Sequence, residues 1–400
     1  MEPHNLLIDI KSKLTLKKIF RNIKERRYLN IIKYNKKIQK KIDKGIDYYR
    51  DYYDLIELEI FPAPDNSGKF IKIKKEDFSH FHFYFNNDKS EIKKDYINKD
   101  DNVSKIKIII DNHIKNFSYL FHQVNCIEKI NFIKFIRKDI IDMSHMFSCC
   151  TSLHEINLSN FNTKNVINMS RMFYGCNFLK ELNLSNINTS KVTNMSFMFA
   201  ECSHLEKLNI HNFNTKNVTN MGYMFFRCDA LKELDLSNFN TNNVTEMGHI
   251  FSCCYNLKQL NLTSFDTSKV TNMSYMFYGC SFNELDISNF NTKQVSNMNS
   301  MFCECISLIE LNLSNFRTNN VNIMSNMFLG CVSLTKLDIS NFNTNNVKYM
   351  EYMFCNCKLL KELNISSFNV KNTRRREHMF DECSEEAKEK ILAIISGKEN

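Results

Sequence analysis

Tryptophan is absent from this 400-residue chain, and glycine and proline are scarce, at eight and three residues. So little of either chain-breaker excludes a collagen-like fibre and leaves most of the chain without flexible linkers. Long apolar runs are missing as well. Lys11, Lys13, Lys17 and Lys18 interrupt the first twenty residues, so the apolar core of a secretory signal is not there. No stretch approaches the roughly 18 apolar residues of a membrane-spanning helix, and neither end carries a lipidation pattern. The expected location is cytoplasmic. Fifteen cysteines without an export signal then point to free thiols in a reducing compartment and not to a disulfide framework. Catalytic signatures are equally lacking. The 11 histidines are scattered, with no HExxH, and neither a GxSxG nor a phosphate-binding glycine loop occurs. His80, His82 and His378 read as surface or boundary residues. No catalysis, no cofactor and no small-molecule substrate are expected.

What the chain does have is a ladder. Met-Phe recurs at 146, 172, 198, 224, 276, 301, 327, 353 and 379, and Ile250-Phe251 fills the one gap. The spacing is 26 residues throughout, except for 25 between Met276 and Met301, where one residue is missing near Phe282. Four residues after each first position stands a cysteine: Cys150, Cys176, Cys202, Cys228, Cys254, Cys280, Cys305, Cys331, Cys357 and Cys383. Eighteen of the 19 methionines occupy two columns of this register, which chance does not produce. A fixed period of this length marks a solenoid, because one repeat cannot bury its apolar face alone and must stack on its neighbours.

The unit at 179–204 serves as a template. It opens with LxxLxL, in which Leu182 and Leu184 alternate inward as in a short strand. Val192, Met195, Phe199 and Cys202 follow at steps of three and four, the spacing of a helical turn or two on the same core. The predicted fold class is therefore an α/β repeat: a leucine-rich-repeat solenoid of about ten coils, with a parallel strand face and short helical turns. At roughly 4.8 Å per coil, ten coils make a body on the order of 48 Å long. Methionine and free cysteine suit such an interior as soft, adaptable fillers. Towards the N-terminus the register decays: Ile127, Ile130, Phe132, Phe135, Ile140 and Met143 hold it, Leu120-Phe121 replaces Met-Phe, and Ile106, Ile114 and Phe117 fit one coil further back. At the other end Val370 takes the usual threonine position, Arg374, Arg375 and Arg376 displace apolar columns, and 384–395 reads as an amphipathic capping helix.

Units of the form ELNLSNFNTKNVTNMSxMFxGC, seen around 181–202, 233–254 and 310–331, resemble the 26-residue repeats of BspA-like leucine-rich-repeat surface proteins. The resemblance covers about 120–384. It implies a solenoid with an interaction or adhesion role, no catalysis, and a cell-surface location as the runner-up to a cytoplasmic one.

Two columns are placed to face a partner on the concave strand side. Between the inward leucines stand Asn131, Asn157, Asn183, Asn209, Asp235, Asn261, Asp286, Asn312, Asp338 and Asn364. Two residues earlier stand Glu155, Glu181, Lys207, Glu233, Gln259, Glu284, Glu310, Lys336 and Glu362. From 155 onward the two columns hold nine acids and two bases, so they suit a basic or hydrogen-bonding protein partner. The candidate partner-binding residues are Glu181, Asn183, Asn209, Glu233, Asp235, Asn261, Glu284, Asp286, Glu310, Asn312 and Asp338. The alternative reading of the same columns is a self-stacked amide ladder with ordinary solvated charges. The pairs Cys149-Cys150, Cys253-Cys254, Cys303-x-Cys305 and Cys355-x-Cys357 invite a metal, but zinc needs four converging ligands and one member of each pair is committed to the core. No metal ligand is assigned.

The first hundred residues differ in composition. Residues 11–44 carry 14 Lys and Arg against Glu25 and Asp43, a charge of +12 when the whole chain has +9. Helices are predicted at 14–23 and 28–42. A basic face of this kind can bind nucleic-acid phosphates or an anionic membrane, or the helix pair docks a partner or caps the chain. The stretch over 14–45 also resembles a degenerate F-box, which implies a substrate adaptor of a ubiquitin ligase. Alternation at 70–74 and 81–85 predicts strands, and 86–102 predicts a polar loop. The expected organisation is a basic helical segment at 1–45, a small α+β cap at 46–103, the solenoid at 104–384 and a capping helix and tail at 385–400. The expected function is a non-catalytic protein-protein interaction module, with the ubiquitin-ligase adaptor and a surface antigen or adhesin as alternatives.

Overall fold

The computed structural model describes residues 12, 15, 35–42, 55–64 and 67–389. The predicted helix at 14–23 and the F-box-like stretch over 14–45 lie outside the described residues, apart from Thr15 and 35–42, where a helix runs Lys36–Ile42. The basic-face reading of 11–44 lies largely outside them too. The terminal helix is described through residue 389. No helix among the described residues is long and apolar enough to cross a membrane.

The N-terminal strands are β1 (Ile56–Pro62), β2 (Gly68–Lys69), β3 (Phe81–Phe85), β4 (Tyr96–Ile97) and β5 (Ile106–Ile110). The solenoid adds β6 (Ile127–Lys134), β7 (Glu155–Asn157), β8 (Glu181–Asn183), β9 (Lys207–Asn209), β10 (Glu233–Asp235), β11 (Gln259–Asn261), β12 (Lys336–Asp338) and β13 (Glu362–Asn364). The first sheet has the order β3-β5-β1-β6-β7. Strand β1 runs antiparallel to both β5 and β6, whereas β6 and β7 are parallel. An antiparallel leaf therefore occupies the edge that the first solenoid strand would otherwise leave open, which removes a template for edge-to-edge pairing. Alternate residues Ile56, Leu58 and Ile60 of β1 and Ile106, Ile108 and Ile110 of β5 are fully buried and join the solenoid core. Ile106, which the register alone places in a coil, thus belongs to the leaf. The strand predicted at 70–74 does not form. Phe70 and Ile71 are buried in a bend beyond β2 instead.

From β6 onward the strands pair in parallel two by two, β6 with β7, β8 with β9, β10 with β11 and β12 with β13, as Glu181 with Lys207, Leu182 with Leu208 and Asn183 with Asn209. Pairing in register stacks every side chain on its counterpart, so each sequence column becomes a physical column. The steps of three and four on the other side, predicted to be helical, form a chain of tight turns. Within one coil Met198, Ala200 and Cys202 donate backbone N–H to Met195, Phe197 and Phe199, three residues back. The intervening N–H groups of Met195, Phe197, Phe199 and Glu201 point along the solenoid to Asn220, Gly222, Met224 and Phe226 of the next coil. An α-helix keeps its N–H groups within itself. Here half of them join adjacent coils, and Phe197 and Glu201 take up φ of 57° and 60° to turn them outward.

The interior follows from the columns. Val192, Met195, Met198, Phe199 and Cys202 are wholly buried, and their equivalents stay buried along the stack until the last coil, where Phe380 is only partly so. Phe173, Phe199, Phe225 and Phe251 stack at 5.7–6.0 Å between ring centres. Each ladder thiol donates to a Phe carbonyl of the previous coil, as Cys202 Sγ does to Phe173 at 3.1 Å, and burial pushes this thiol up to about 12. Threonine supplies a second internal rail. Thr241, fully buried, donates its hydroxyl to the Asp266 carbonyl and accepts from the Asp266 N–H, both at 2.8 Å. That pairing satisfies polar atoms whose burial is otherwise costly. The rail runs from Thr163 to Thr344 and gives way to Val370.

Candidate functional site

The strand face is built from three-residue strands whose middle residue points inward and whose outer two are exposed. The Asn/Asp column has a local task. Asn183 Oδ1 accepts from the Ser185 N–H at 3.0 Å, Asp235 from Ser237 at 2.9 Å, Asn312 from Ser314 at 3.0 Å and Asp338 from Ser340 at 3.0 Å. Asn209, Asn261 and Asp286 do the same to His211, Thr263 and Ser288. This is an Asx-turn, which closes the strand into the next corner and needs only one side-chain oxygen. The amide ladder between coils is therefore not what selects Asn; the turn within each coil is. Asp serves equally, and the Ser237 N–H holds the Asp235 carboxyl below the usual carboxylate range.

The Glu/Lys column is free of that duty, and its charges divide along the stack. Near the ends the rungs are matched: Lys129 with Glu155 at 2.8 Å, Lys207 with Glu181 at 2.5 Å, Lys336 with Glu362 at 3.1 Å. In the middle, Glu233, Glu284 and Glu310 have no ion pair among the described residues. The same stretch contains the short repeat. Among the described residues no strand forms in the two coils between β11 and β12, the first of which lacks one residue near Phe282, although Glu310 still bridges Lys336. On the opposite side the threonine rail passes this coil intact, from Thr267 to Asn291. Two open depressions flank the defect. One of about 900 Å3 is lined by Glu181, Asn183, Lys207, Asn209, Glu233, Asp235 and Asn261. The other, of about 600 Å3, is lined by Glu284, Asp286, Glu310, Asn312, Lys336 and Asp338. The structure thus gathers all eleven candidate residues on one face, in two groups.

The opposite, turn face holds a feature that the sequence reasoning missed. The residue preceding the second Met of each repeat forms a largely half-buried rail: Tyr119, His145, Arg171, Phe197, Tyr223, His249 and Tyr275. Tyr119 stacks on His145 at 4.3 Å, and Arg171 lies 4.2 Å above the Phe197 ring. Phe197, Tyr223, His249 and Tyr275 then stack face to face at 4.1–4.3 Å. Ser300 and Asn326 interrupt the rail before Tyr352 and His378 resume it at 4.9 Å. Every member has positive φ, between 55° and 62°, a conformation that costs a bulky L-residue roughly 1–2 kcal/mol. Stacking at about 0.5–1.5 kcal/mol per pair offsets much of this. The signal was present in the sequence as the aromatic between Ser and Met in units such as Asn194-Met-Ser-Phe-Met. Burial also depresses His249 to about 4.

A family model described as a Mycoplasma protein of unknown function, DUF285, matches the chain over residues 115–232, 202–307 and 279–392. Among solved structures, a leucine-rich repeat protein from Bacteroides ovatus ATCC 8483 is similar, with 14% identity and a TM-score of 0.35, over 69% of this chain and 81% of that one. No curated protein matches the chain.

Proposed function

Because the chain belongs to the DUF285 repeat family, whose description assigns no activity, we propose from its own geometry that it is a non-catalytic protein-interaction module. Its partner is a basic protein segment taken on the strand face. One observation carries this reading: among the described residues Glu233, Glu284 and Glu310 form no ion pair, because the lysines of the column, Lys207 and Lys336, are paired with Glu181 and Glu362 instead. Fixed like charges in an open depression raise the local concentration of a complementary chain and speed its encounter. They also lower the stability of the free face slightly, which a partner's lysines or arginines would reverse. We place the protein in a reducing compartment, since each ladder thiol serves as a hydrogen-bond donor that a disulfide would remove.

The test uses a defined probe. A fluorescent arginine-rich peptide is titrated into the full chain at graded salt, and into a variant with Glu233, Asp235, Glu284 and Asp286 all changed to lysine. Binding that weakens with salt and is lost in the variant, with circular dichroism unchanged, supports the face. Equal affinity in the two proteins sinks it.

A further inference from the structure

We propose that His80, Asp111 and His113 form a binding site for a zinc-type divalent transition-metal cation, at the seam between the N-terminal leaf and the first coil. His80 ends the 3-10 helix Lys75–His80 that leads into β3, and Asp111 and His113 follow directly on β5. The two segments are 31 residues apart in sequence, yet the backbone N–H of Asp111 donates to the His80 carbonyl at 3.1 Å. One carboxylate serves both imidazoles: Oδ2 lies 2.8 Å from His80 Nδ1 and Oδ1 lies 3.0 Å from His113 Nδ1. The rings lie nearly parallel, with centres 4.5 Å apart, and the three donor atoms fall within 4.8 Å of one another.

Two nitrogens and one carboxylate oxygen are the donor set of an open zinc-type site, with a fourth position left for water. Bonds of about 2.0–2.1 Å in a tetrahedron put neighbouring donors roughly 3.3 Å apart, so the two nitrogen–oxygen spacings of 2.8 and 3.0 Å need only open by a few tenths of an ångström. The donors decide the class of ion, since imidazole suits zinc, copper and nickel, whereas magnesium and calcium require oxygen.

The surroundings hold the ligands in place. Arg137, itself 2% exposed, donates to the carbonyls of Asp111 and Asn112 at 3.0 and 3.2 Å and so clamps the segment that carries two of the three ligands. Its own charge is matched by Asp139, through two contacts of 3.0 and 2.8 Å, and does not oppose a cation. Outer-shell clamps of this kind are what keep a metal's first ligands oriented. Bound there, the ion would staple the corner before β3 to the end of β5 and tighten the leaf onto the first coil, from which Arg137 reaches. His82 is not part of the site, being paired with Glu91 at 2.8 Å.

The test is calorimetric titration of the full chain, freed of metal with a chelator, using zinc chloride and separately magnesium chloride. The expected result is one zinc per chain, no magnesium heat, and a higher thermal unfolding midpoint with zinc present. Affinity should fall about tenfold or more in His113→Gln and in His80→Gln. His113 is 67% exposed, so its variant keeps the fold, which circular dichroism verifies. Cobalt then reports the ligand type: visible d–d bands without a thiolate charge-transfer band support the site. A thiolate band, no one-to-one zinc uptake, or uptake indifferent to both variants overturns it.

Discussion

The two faces of each coil are joined by the same period but held by different forces. On the strand face three-residue strands join coils two by two, and an Asx-turn closes the corner locally. On the turn face alternate N–H groups cross to the next coil, over a rail of stacked rings in left-handed backbone. Around the short repeat near Phe282 the two part company: among the described residues no strand forms between β11 and β12, while the turn-face bridges Asn272–Asn297 and Asn297–Ile323 run on. The turn face and the core beneath it bear most of the architecture, and on the strand face the Asn/Asp column closes corners while the Glu/Lys column does not. Substitutions should therefore separate into those that lower stability and those that alter only binding.

The largest effect is expected in the shared core. Phe225 is fully buried between Phe199 and Phe251, so Phe225→Ala should cost about 3–5 kcal/mol through lost burial and the cavity left behind. Because each coil touches only its neighbours, the chemical unfolding curve should also broaden or split as the two arms uncouple. An unchanged, single sharp transition would show that the coils are not coupled in series. Next comes the threonine rail. Thr241→Val keeps shape and volume but strands the N–H and carbonyl of Asp266, at a cost of about 1–3 kcal/mol. Urea denaturation measures it, and a neutral result would mean that the hydroxyl is not what joins these corners.

Much of this was legible before any coordinates, because pairing in register makes columns of sequence into columns of space. Spacings of 26 residues place Glu181 beside Lys207 and Lys336 beside Glu362, and the alternation at 81–85 correctly marks β3. The turn face was misread as helical for a specific reason. Apolar steps of three and four are common to an α-helix and to a run of tight turns, and what separates them is the direction of the N–H groups. That direction depends on a neighbouring coil about 25 residues away, as in Phe197 to Gly222. The Asn column was ambiguous because the Asx-turn and an inter-coil amide ladder both favour Asn at each rung. The frequent serine two residues on, as Ser185 after Asn183, was the available hint. The His80 site was invisible, since its members converge only when β3 and β5 pair.

A smaller effect is expected on the aromatic rail. His249 stacks between Tyr223 and Tyr275, and burial lowers it from 6.5 to about 4. The unfolded chain takes up a proton near 6.5, whereas the folded chain resists until about 4. Unfolding therefore binds a proton across that window, so stability declines as the pH falls through it and levels off below. Discounted for partial solvent exposure, the loss is about 1–2 kcal/mol. His249→Phe keeps the stack and removes the proton, so thermal midpoints of the two proteins should diverge between pH 6.5 and 4. Parallel pH profiles would mean that His249 is hydrated and not held in the rail.

The smallest effects belong to the strand face, and Asp235 separates its two duties. Asp235→Asn keeps an oxygen for the Ser237 N–H and should change stability by less than about 0.5 kcal/mol, while reducing the negative charge offered to a basic partner. Asp235→Ala removes charge and turn together and should cost about 1 kcal/mol by leaving that N–H to water. Measured side by side, by urea denaturation and by peptide titration, the pair assigns each role to an atom. If Asn destabilises as much as Ala, the turn depends on the charge and the column cannot vary independently of the fold. If both variants bind the basic peptide as well as the native chain does, the column's task ends at the corner, and recognition rests on the glutamates two positions earlier, whose side chains have no structural claim on them.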